Sequence, residues 1–198
     1  MEHKGTVTLE TERLVLRRFF AEDAEAMFRN WANDSEVTKY LGWQPHSDIS
    51  VTRAILAEWV LLYQKPSYYH WAIISKELGE PIGFIYAVER DDIKMVQIHY
   101  GIGRKWWHCG YTSEAFARLV SFFFEGVGVN RIESWHDLRN PHSGGVLLKC
   151  GLKYEGTMCQ AETNNQGIYD AARYSILAED YFVNPLRCPN LQSYLIKI

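Results

Sequence analysis

The chain has 198 residues, 47% aliphatic or aromatic and 23% charged, and a formal net charge of −3. These proportions are typical of one packed globular protein and exclude a disordered or low-complexity chain. The small negative charge and the lack of a long basic run argue against a nucleic-acid partner.

The cysteines and histidines form no pattern typical of a metal site. No CxxC pair and no HExxH string occurs among the four cysteines and seven histidines, so we expect no metal cofactor and reduced thiols. No apolar stretch approaches the roughly 20 residues of a membrane span, and the N-terminus has no apolar core of signal-peptide length. The sequence therefore predicts a soluble cytoplasmic protein with no membrane partner.

One strand and two helices are predicted first along the chain. Apolar and polar residues alternate over 9–19, which predicts a strand. From Ala21, apolar residues at helical spacing predict an amphipathic helix. Ser47 and Asp48 are candidate caps of a second helix, which ends at residues 65–66 and has on one face the apolar residues Val51, Ile55, Trp59 and Leu62.

An antiparallel meander is predicted next, from strands over 68–75, 81–88 and 95–102. Apolar residues at helical spacing then predict a helix that closes near Gly126. A short strand over 131–136 follows. This order of strand, helix and strand indicates a parallel crossover.

The last predicted elements are a short helix and a closing hairpin. Asn140 is a candidate cap followed by proline, and Gly151 stands where the helix should end. Strands over 152–160 and 168–178, separated by a turn at residues 164–167, form the hairpin. Because no repeat or second core is visible, we expect a single domain over 1–198, which comprises a core at 9–182 and an extension at 183–198.

The segment 97–114 carries the strongest functional signal from the residues alone. A strand runs into a tight loop, and the loop opens a helix. Backbone amides at a helix N-terminus and the helix dipole favour an anion, and Gly110 permits a close approach to a phosphate. A pyrophosphate site and an ordinary crossover that binds nothing both fit this pattern.

The element order and five local strings resemble the GNAT acetyltransferases, and in particular the branch of ribosomal-protein N-terminal acetyltransferases. The strings are LETERLVLR (9–17), WHCGYTSEA (107–115), NRIE (130–133), CGLKYEG (150–156) and DAARYSIL (170–177). The resemblance covers about 9–182. It implies an α/β (α+β) fold with a mixed, mostly antiparallel sheet of about seven strands, a parallel central pair and about four flanking helices.

The resemblance also implies acetyl-CoA as the cosubstrate. The family's phosphate pattern, Gln/Arg-x-x-Gly-x-Gly/Ala, falls on Lys105, His108 and Gly110, and His108 departs from it by replacing a glycine. The candidate coenzyme contacts are Ile102, Lys105, Trp107, His108, Cys109, Gly110, Tyr111, Thr112, Asn140 and Ser143. Asn140 and Ser143 are explained equally well as a helix cap and a polar first-turn residue.

The candidate catalytic residues are Ser143, His99 and Tyr100. The resemblance implies that Ser143 donates the proton to the leaving thiolate, and that the strand around His99 and Tyr100 splays from its parallel neighbour. Many relatives have glutamate where this chain has Gln97, and glutamine cannot act as a base. His99 could relay the proton, and Glu89, Asp137 and ordered water are open alternatives.

The reaction expected from the resemblance is direct attack of an amine on the thioester. At pH 7 roughly a tenth of an α-amine is neutral, against under a thousandth of a lysine, so a poor base favours a peptide N-terminus or a small amine. Trp43, Tyr68 and Tyr69 are candidate walls of the acceptor cleft, whereas Trp71 is expected in the core. A non-catalytic acyl-CoA-binding regulatory module and an unrelated nucleotide-binding protein are the alternatives, and a homodimer is left open.

Overall fold

The computed structural model describes residues 1–183, and within that range all strands belong to one sheet. The strands are β1 (Leu9–Glu10), β2 (Leu14–Arg17), β3 (Tyr69–Ser75), β4 (Pro81–Arg90), β5 (Met95–Ile102), β6 (Arg131–Asp137), β7 (Lys153–Asn164) and β8 (Gly167–Leu177). Their order in the sheet is β1-β2-β3-β4-β5-β6-β8-β7. Only β5 and β6 are parallel neighbours in this described sheet. The predicted fold class is therefore confirmed.

The described sheet has eight strands rather than about seven because 9–19 folds as a small hairpin instead of one strand. Leu9 pairs with Leu16, and β1 turns into β2 at Thr11. The Thr11 side-chain oxygen accepts the amide of Leu14 at 3.0 Å, and the Thr11 amide donates to the Leu14 carbonyl at 3.0 Å. A side chain that bonds to nearby backbone favours a turn, and this contact interrupts the alternation.

Six α-helices are described: α1 (Ala24–Met27), α2 (Ser35–Thr38), α3 (Ile49–Leu62), α4 (Tyr111–Ser121), α5 (Pro141–Lys149) and α6 (Ala178–Val183). Only about four were predicted. The first predicted helix is continuous from Ala21 to Ala32 but passes from a 3₁₀ turn through α1 into a π turn. α2 and α6 were not predicted, because four to six residues are too few to show a helical period. Apart from Val183, the predicted extension 183–198 lies outside the described residues.

The cap of α3 was predicted correctly and its buried face was not. The Asp48 carboxylate accepts the amide of Ser50 at 2.7 Å. The buried side is formed by Thr52 and Leu56 rather than by the neighbouring apolar positions. Thr52 is buried because its hydroxyl lies 2.7 Å from Nδ1 of His46, which satisfies a polar group inside the protein.

Two hydrophobic cores lie on opposite faces of the sheet. One packs α4 and α5 against the sheet and includes Trp71, as predicted, together with Phe116 and Phe123. The other packs the Ala21–Ala32 helix and α3 against β3 and β4, with Trp31 at its centre. Helices thus pack on both faces of the sheet and hold the ends of β5 and β6 in place.

The parallel pair β5 and β6 separates part of the way along its length. Pairing runs from Met95 opposite Arg131 to Gln97 opposite Glu133. At the point of separation the hydroxyl of Ser134 donates to the carbonyl of Ile98 at 2.7 Å. Beyond it the sheet has a V-shaped gap, which is the splay expected from the family resemblance.

Candidate active site

A cavity of about 1020 Å³ lies at the gap between β5 and β6. Its wall is formed by residues 99–102 of β5, the loop before α4, the second half of β6, the first turns of α5, and residues 36–43 above them. The cavity joins the α4–α5 face of the sheet to the opposite face. It therefore offers a place where two substrates can meet.

The loop before α4 has a left-handed backbone at two positions, one of them the histidine that departs from the family pattern. Gly110 is the N-cap of α4 with φ of 80°, and His108 has φ of 61°. His108 therefore adopts the left-handed conformation that favours glycine. The first-turn amides of Tyr111, Thr112 and Ser113 have no partner inside the helix and lie at its positive end.

Positive charge approaches this loop from two residues that the sequence reasoning missed. A Cβ placed on Gly110 would lie 3.6 Å from Nη2 of Arg13 and 3.9 Å from Nζ of Lys149. Both are distant from the loop in sequence, so no local motif signals them. Lys105 instead helps line a separate cavity of about 520 Å³ together with Arg29.

Of the predicted coenzyme contacts, the structure brings most to the larger cavity. Its wall includes Ile102, Trp107, His108, Gly110, Thr112, Asn140 and Ser143. Within the described part of the chain, Lys105, Cys109 and Tyr111 are not in that wall. His108 faces His142 edge to face, with ring centroids 4.7 Å apart. The loop and the start of α5 thus meet at the rim of the cavity.

Tyr100 and Ser143, predicted separately, are hydrogen-bonded to each other. The Tyr100 hydroxyl lies 2.8 Å from Oγ of Ser143 and 2.9 Å from the Ser143 carbonyl. Its ring packs edge to face on Phe116. Burial raises the pKa of Tyr100, so the hydroxyl keeps its proton at physiological pH. The pair therefore lies in the cavity wall with the tyrosine protonated.

The start of α5 is shaped for close packing. Asn140 occupies the N-cap, but its side chain makes no capping hydrogen bond. Capping therefore does not explain why an asparagine stands at this position. A Cβ on Gly144 would lie 2.4 Å from Nε2 of His136, whereas one on Gly145 would meet nothing within 4 Å. Gly144 therefore serves packing, and Gly145 leaves part of the cavity wall open.

His99 lies in the cavity wall between two aromatic rings. It stacks on Tyr86 at 4.9 Å and meets Trp135 edge to face at 4.9 Å. Burial lowers the pKa of His99 to about 4, although the negative charge of Glu133 raises it. The imidazole is thus neutral at pH 7 and only weakly basic.

The other carboxylates considered as bases are held by ion pairs or lie outside the cavity. Burial alone would raise the pKa of Asp137. Hydrogen bonds from Arg139 and Asn164 together have the larger effect, so the pKa lies below its ordinary value. Glu89 is not among the described residues that line the cavity. Gln97 donates to Glu133 at 2.8 Å, and Arg131 and Arg173 pair with the same carboxylate.

Residues 38–44 form a roof segment over the cavity, and Asn165 holds it by hydrogen bonds. The Asn165 side chain donates to the carbonyls of Thr38 at 2.9 Å and Trp43 at 2.7 Å and accepts from Gln44 at 2.7 Å. Its amide donates to the Leu41 carbonyl at 3.2 Å. Trp43 lines the cavity, while Tyr68 and Tyr69 lie on or beside β3 and outside its described wall.

The described residues 1–183 contain neither a metal-binding cluster nor a membrane-spanning helix. There, no group of three or more His, Cys, Asp or Glu side chains could hold a metal ion. No helix in the same range is both long enough and apolar enough to cross a membrane.

Comparison with known proteins gives consistent matches. A family model described as an acetyltransferase (GNAT) domain matches residues 13–153. The uncharacterized N-acetyltransferase YoaA of Bacillus subtilis (strain 168) is 34% identical over 170 residues, which is 85% of this chain and 96% of that protein.

Two solved structures share the fold at low sequence identity. A ribosomal-protein alanine acetyltransferase from Vibrio fischeri has a TM-score of 0.77 and 18% identity, covering 88% of this chain and 98% of that chain. The microcin C7 self-immunity acetyltransferase MccE, in complex with acetyl-CoA and AMP, has a TM-score of 0.76 and 20% identity, covering 84% and 93%. At such identities these structures speak for the fold alone.

Proposed function

Because the chain belongs to the GNAT family and is an acetyltransferase, we propose that it transfers the acetyl group of acetyl-CoA directly to an amine. The observation that carries the proposal is the gap between β5 and β6. It places the loop before α4, the Tyr100–Ser143 pair and the wall around His99 on one cavity of about 1020 Å³.

The residues around the gap fit acetyl-CoA, the cosubstrate of this family. The amides at the start of α4 suit the diphosphate, and Gly110 lets it approach closely. Asn140 and Gly145 line the part of the cavity that we assign to the pantetheine arm. The open edge of β5 offers backbone groups to that arm, and an amide there can polarise the thioester carbonyl.

The chain's own proton donor for the departing thiolate is Ser143. Its hydroxyl shares a hydrogen bond with Tyr100, whose raised pKa keeps it a donor. Loss of the thiolate needs a proton at the moment the carbon–sulfur bond breaks. The Tyr100–Ser143 pair supplies that proton from a fixed position.

The weakness of the bases predicted from the sequence indicates the class of acceptor. Gln97 cannot accept a proton, His99 has a pKa near 4, and Asp137 is held by Arg139. An α-amine, with a pKa of about 7.7–8.0, is roughly one tenth neutral at pH 7 without help. We therefore propose a protein N-terminus or a small amine of low pKa as the acceptor.

The alternative of a non-catalytic acyl-CoA-binding module rested on Gln97 and His108. His108 keeps the left-handed backbone that a glycine would adopt, and an acceptor of low pKa does not need a base at Gln97. Neither departure therefore favours that alternative. The single domain over 1–198, the cytoplasmic location and the homodimer remain predictions.

The experiment is a calorimetric titration with acetyl-CoA, followed in the same sample by thiol release on adding peptides, polyamines or aminoglycosides. Binding with acceptor-dependent thiol release supports the proposal and identifies the acceptor class. Ser143→Ala is the matched variant, which should bind acetyl-CoA and release thiol more slowly. Failure of the wild-type protein to bind acetyl-CoA would overturn the proposal.

A further inference from the structure

A buried carboxylate lies on the first turn of α4, next to the proposed diphosphate site. Glu114 is 1% exposed. Its Oε1 accepts from the Thr11 hydroxyl at 2.6 Å and the Arg13 amide at 2.9 Å, and its Oε2 accepts from Nε of Arg13 at 2.7 Å. A buried carboxylate is costly unless it is paired and hydrogen-bonded, so Arg13 satisfies it.

The same guanidinium also contacts the loop itself. Its Nη1 donates to the Cys109 carbonyl at 3.1 Å, and its carbon lies 4.4 Å from the ring centroid of Tyr111. Its Nη2 lies 3.6 Å from the Cβ that Gly110 lacks. Arg13 therefore ties the residues on both sides of Gly110 to the carboxylate of Glu114, across about one turn of chain.

The bond to the Cys109 carbonyl fixes the direction of the next amide. A peptide unit is planar, and in the trans form its oxygen and hydrogen point to opposite sides. Since the Cys109 oxygen points toward Arg13, the Gly110 amide points away from it. Among the described residues, Gly110 lines the cavity and Arg13 does not, so that amide is turned to the cavity side.

This peptide needs an external constraint. It joins Cys109 to Gly110 directly after His108, and both His108 and Gly110 have positive φ. A left-handed residue other than glycine is strained and persists only where its surroundings enforce it. Arg13 contacts the peptide that follows His108 directly, and its charge offsets the negative charge that Glu114 would otherwise present to a phosphate.

We propose that Arg13 is a positioning residue for the diphosphate of acetyl-CoA: paired with Glu114, it aims the Gly110 amide at the phosphates from outside the cavity. The proposal rests on the proposed function, because it names how that cosubstrate is held. It assigns this positioning role to a residue that lies 97 positions before Gly110, the N-cap of α4.

The test compares three donors: acetyl-CoA, dephospho-acetyl-CoA, which keeps the diphosphate, and S-acetylpantetheine, which lacks it. The variant is Arg13→Lys, which keeps the charge but cannot make the forked contacts. The readout is the ratio of kcat/KM between donors. That ratio is independent of the folded fraction, so partial misfolding of the variant does not affect it.

We expect Arg13→Lys to lower the ratio of acetyl-CoA to S-acetylpantetheine by about 10-fold or more, which is the scale of one charge-assisted hydrogen bond. The ratio of acetyl-CoA to dephospho-acetyl-CoA should stay constant. Arg118→Lys is the matched control, because Arg118 lies on the same helix as Glu114 and bonds to Glu10 and Ser121 instead of the loop. It should change neither ratio.

Two results would overturn the inference. Equal loss with acetyl-CoA and S-acetylpantetheine would show that Arg13 only supports the fold. A change in the dephospho-acetyl-CoA ratio would show that it serves the 3′-phosphate. Both differ from failure of the proposed function, in which the wild-type protein would bind no acetyl-CoA at all.

Discussion

The hydroxyl of Tyr100, on β5, lies 2.8 Å from Oγ of Ser143, on α5, and so closes a hydrogen bond across the gap between β5 and β6. The two residues are 43 positions apart. This hydrogen bond therefore forms only when α5 packs over the end of the parallel pair.

The first prediction concerns this pair as a proton donor. Ser143→Ala should lower kcat by about 10²-fold, the lower end for loss of a general acid, with little change in the Kd for acetyl-CoA. Tyr100→Phe should have a smaller effect, because the serine hydroxyl remains. Since the two act together, the double variant should be no slower than Ser143→Ala, and additive losses measured by steady-state kinetics would contradict this reading.

The second prediction concerns the left-handed backbone at His108. Ala and Gly both remove the imidazole, so comparing His108→Ala with His108→Gly isolates the backbone. At φ of 61° the glycine variant should be more stable by about 1 kcal/mol, the cost of a Cβ in that region. Urea unfolding measures the difference. A more stable alanine variant would mean that the loop does not keep this conformation.

The third prediction uses the two adjacent glycines of α5 as a matched pair. A Cβ on Gly144 would lie 2.4 Å from Nε2 of His136, which is itself held by a bond from its ring to the Asp137 carbonyl. Gly144→Ala should therefore destabilise the protein by about 1–3 kcal/mol through overpacking.

Gly145→Ala should have the opposite effect on stability. It meets nothing within 4 Å in a helix interior, so alanine should add up to about 1 kcal/mol. Because Gly145 lines the cavity, the same change should weaken acetyl-CoA binding. Thermal unfolding and calorimetry of both variants give the comparison, and equal stability changes would contradict it.

The fourth prediction is a loss of stability in acid. Burial lowers the pKa of His70 to about 3 and that of His99 to about 4. Between about pH 6.5 and 4 the unfolded chain therefore binds more protons than the folded one, so stability falls as the pH falls, by up to about 1.4 kcal/mol per pH unit for each group.

His99→Phe keeps a ring between Tyr86 and Trp135 and removes the titrating group. The slope of unfolding free energy against pH should decrease in this variant over the pH 4–6.5 window. At pH 8 this histidine is neutral in both the folded and the unfolded chain. The free energy of unfolding of the variant at pH 8 therefore measures the effect of packing without that of titration. An unchanged slope in acid would show that His99 is charged in the folded protein.

Much of the fold was predictable because it depends on local patterns. The three strands of the meander, the Asp48 cap and the turn at residues 164–167 each follow from neighbouring residues. The predictions that failed involve side-chain hydrogen bonds that the apolar pattern does not show. Thr11 interrupts the first strand through its own side chain, and Thr52 is buried because His46, six positions away, bonds to it.

The part of the candidate site that lies in one continuous segment was predictable. The part formed by residues distant in sequence was not. The loop from Trp107 to Thr112 is recognisable from its glycine and the helix behind it. Arg13 and Asn165 lie about 100 and 55 positions from that loop, and only the paired strands bring them near the cavity. Lys105 was predicted at the site from its position beside the loop, but it lies in a 3₁₀ turn and lines the smaller cavity instead.

The last prediction concerns Asn165 as the link that holds the roof segment, residues 38–44. Asn165→Asp keeps the shape and loses both side-chain donors, which places a carboxylate against the carbonyls of Thr38 and Trp43. Leaving buried acceptors unpaired costs about 1–3 kcal/mol, and for these part-buried carbonyls the lower end is expected, so the roof segment should open. Hydrogen exchange should accelerate there, and the acceptor KM should rise while the Kd for acetyl-CoA stays constant. Gln166→Glu adds the same charge to the same turn and should change none of these values; similar effects from both variants would mean that charge, not the lost hydrogen bonds, controls the roof.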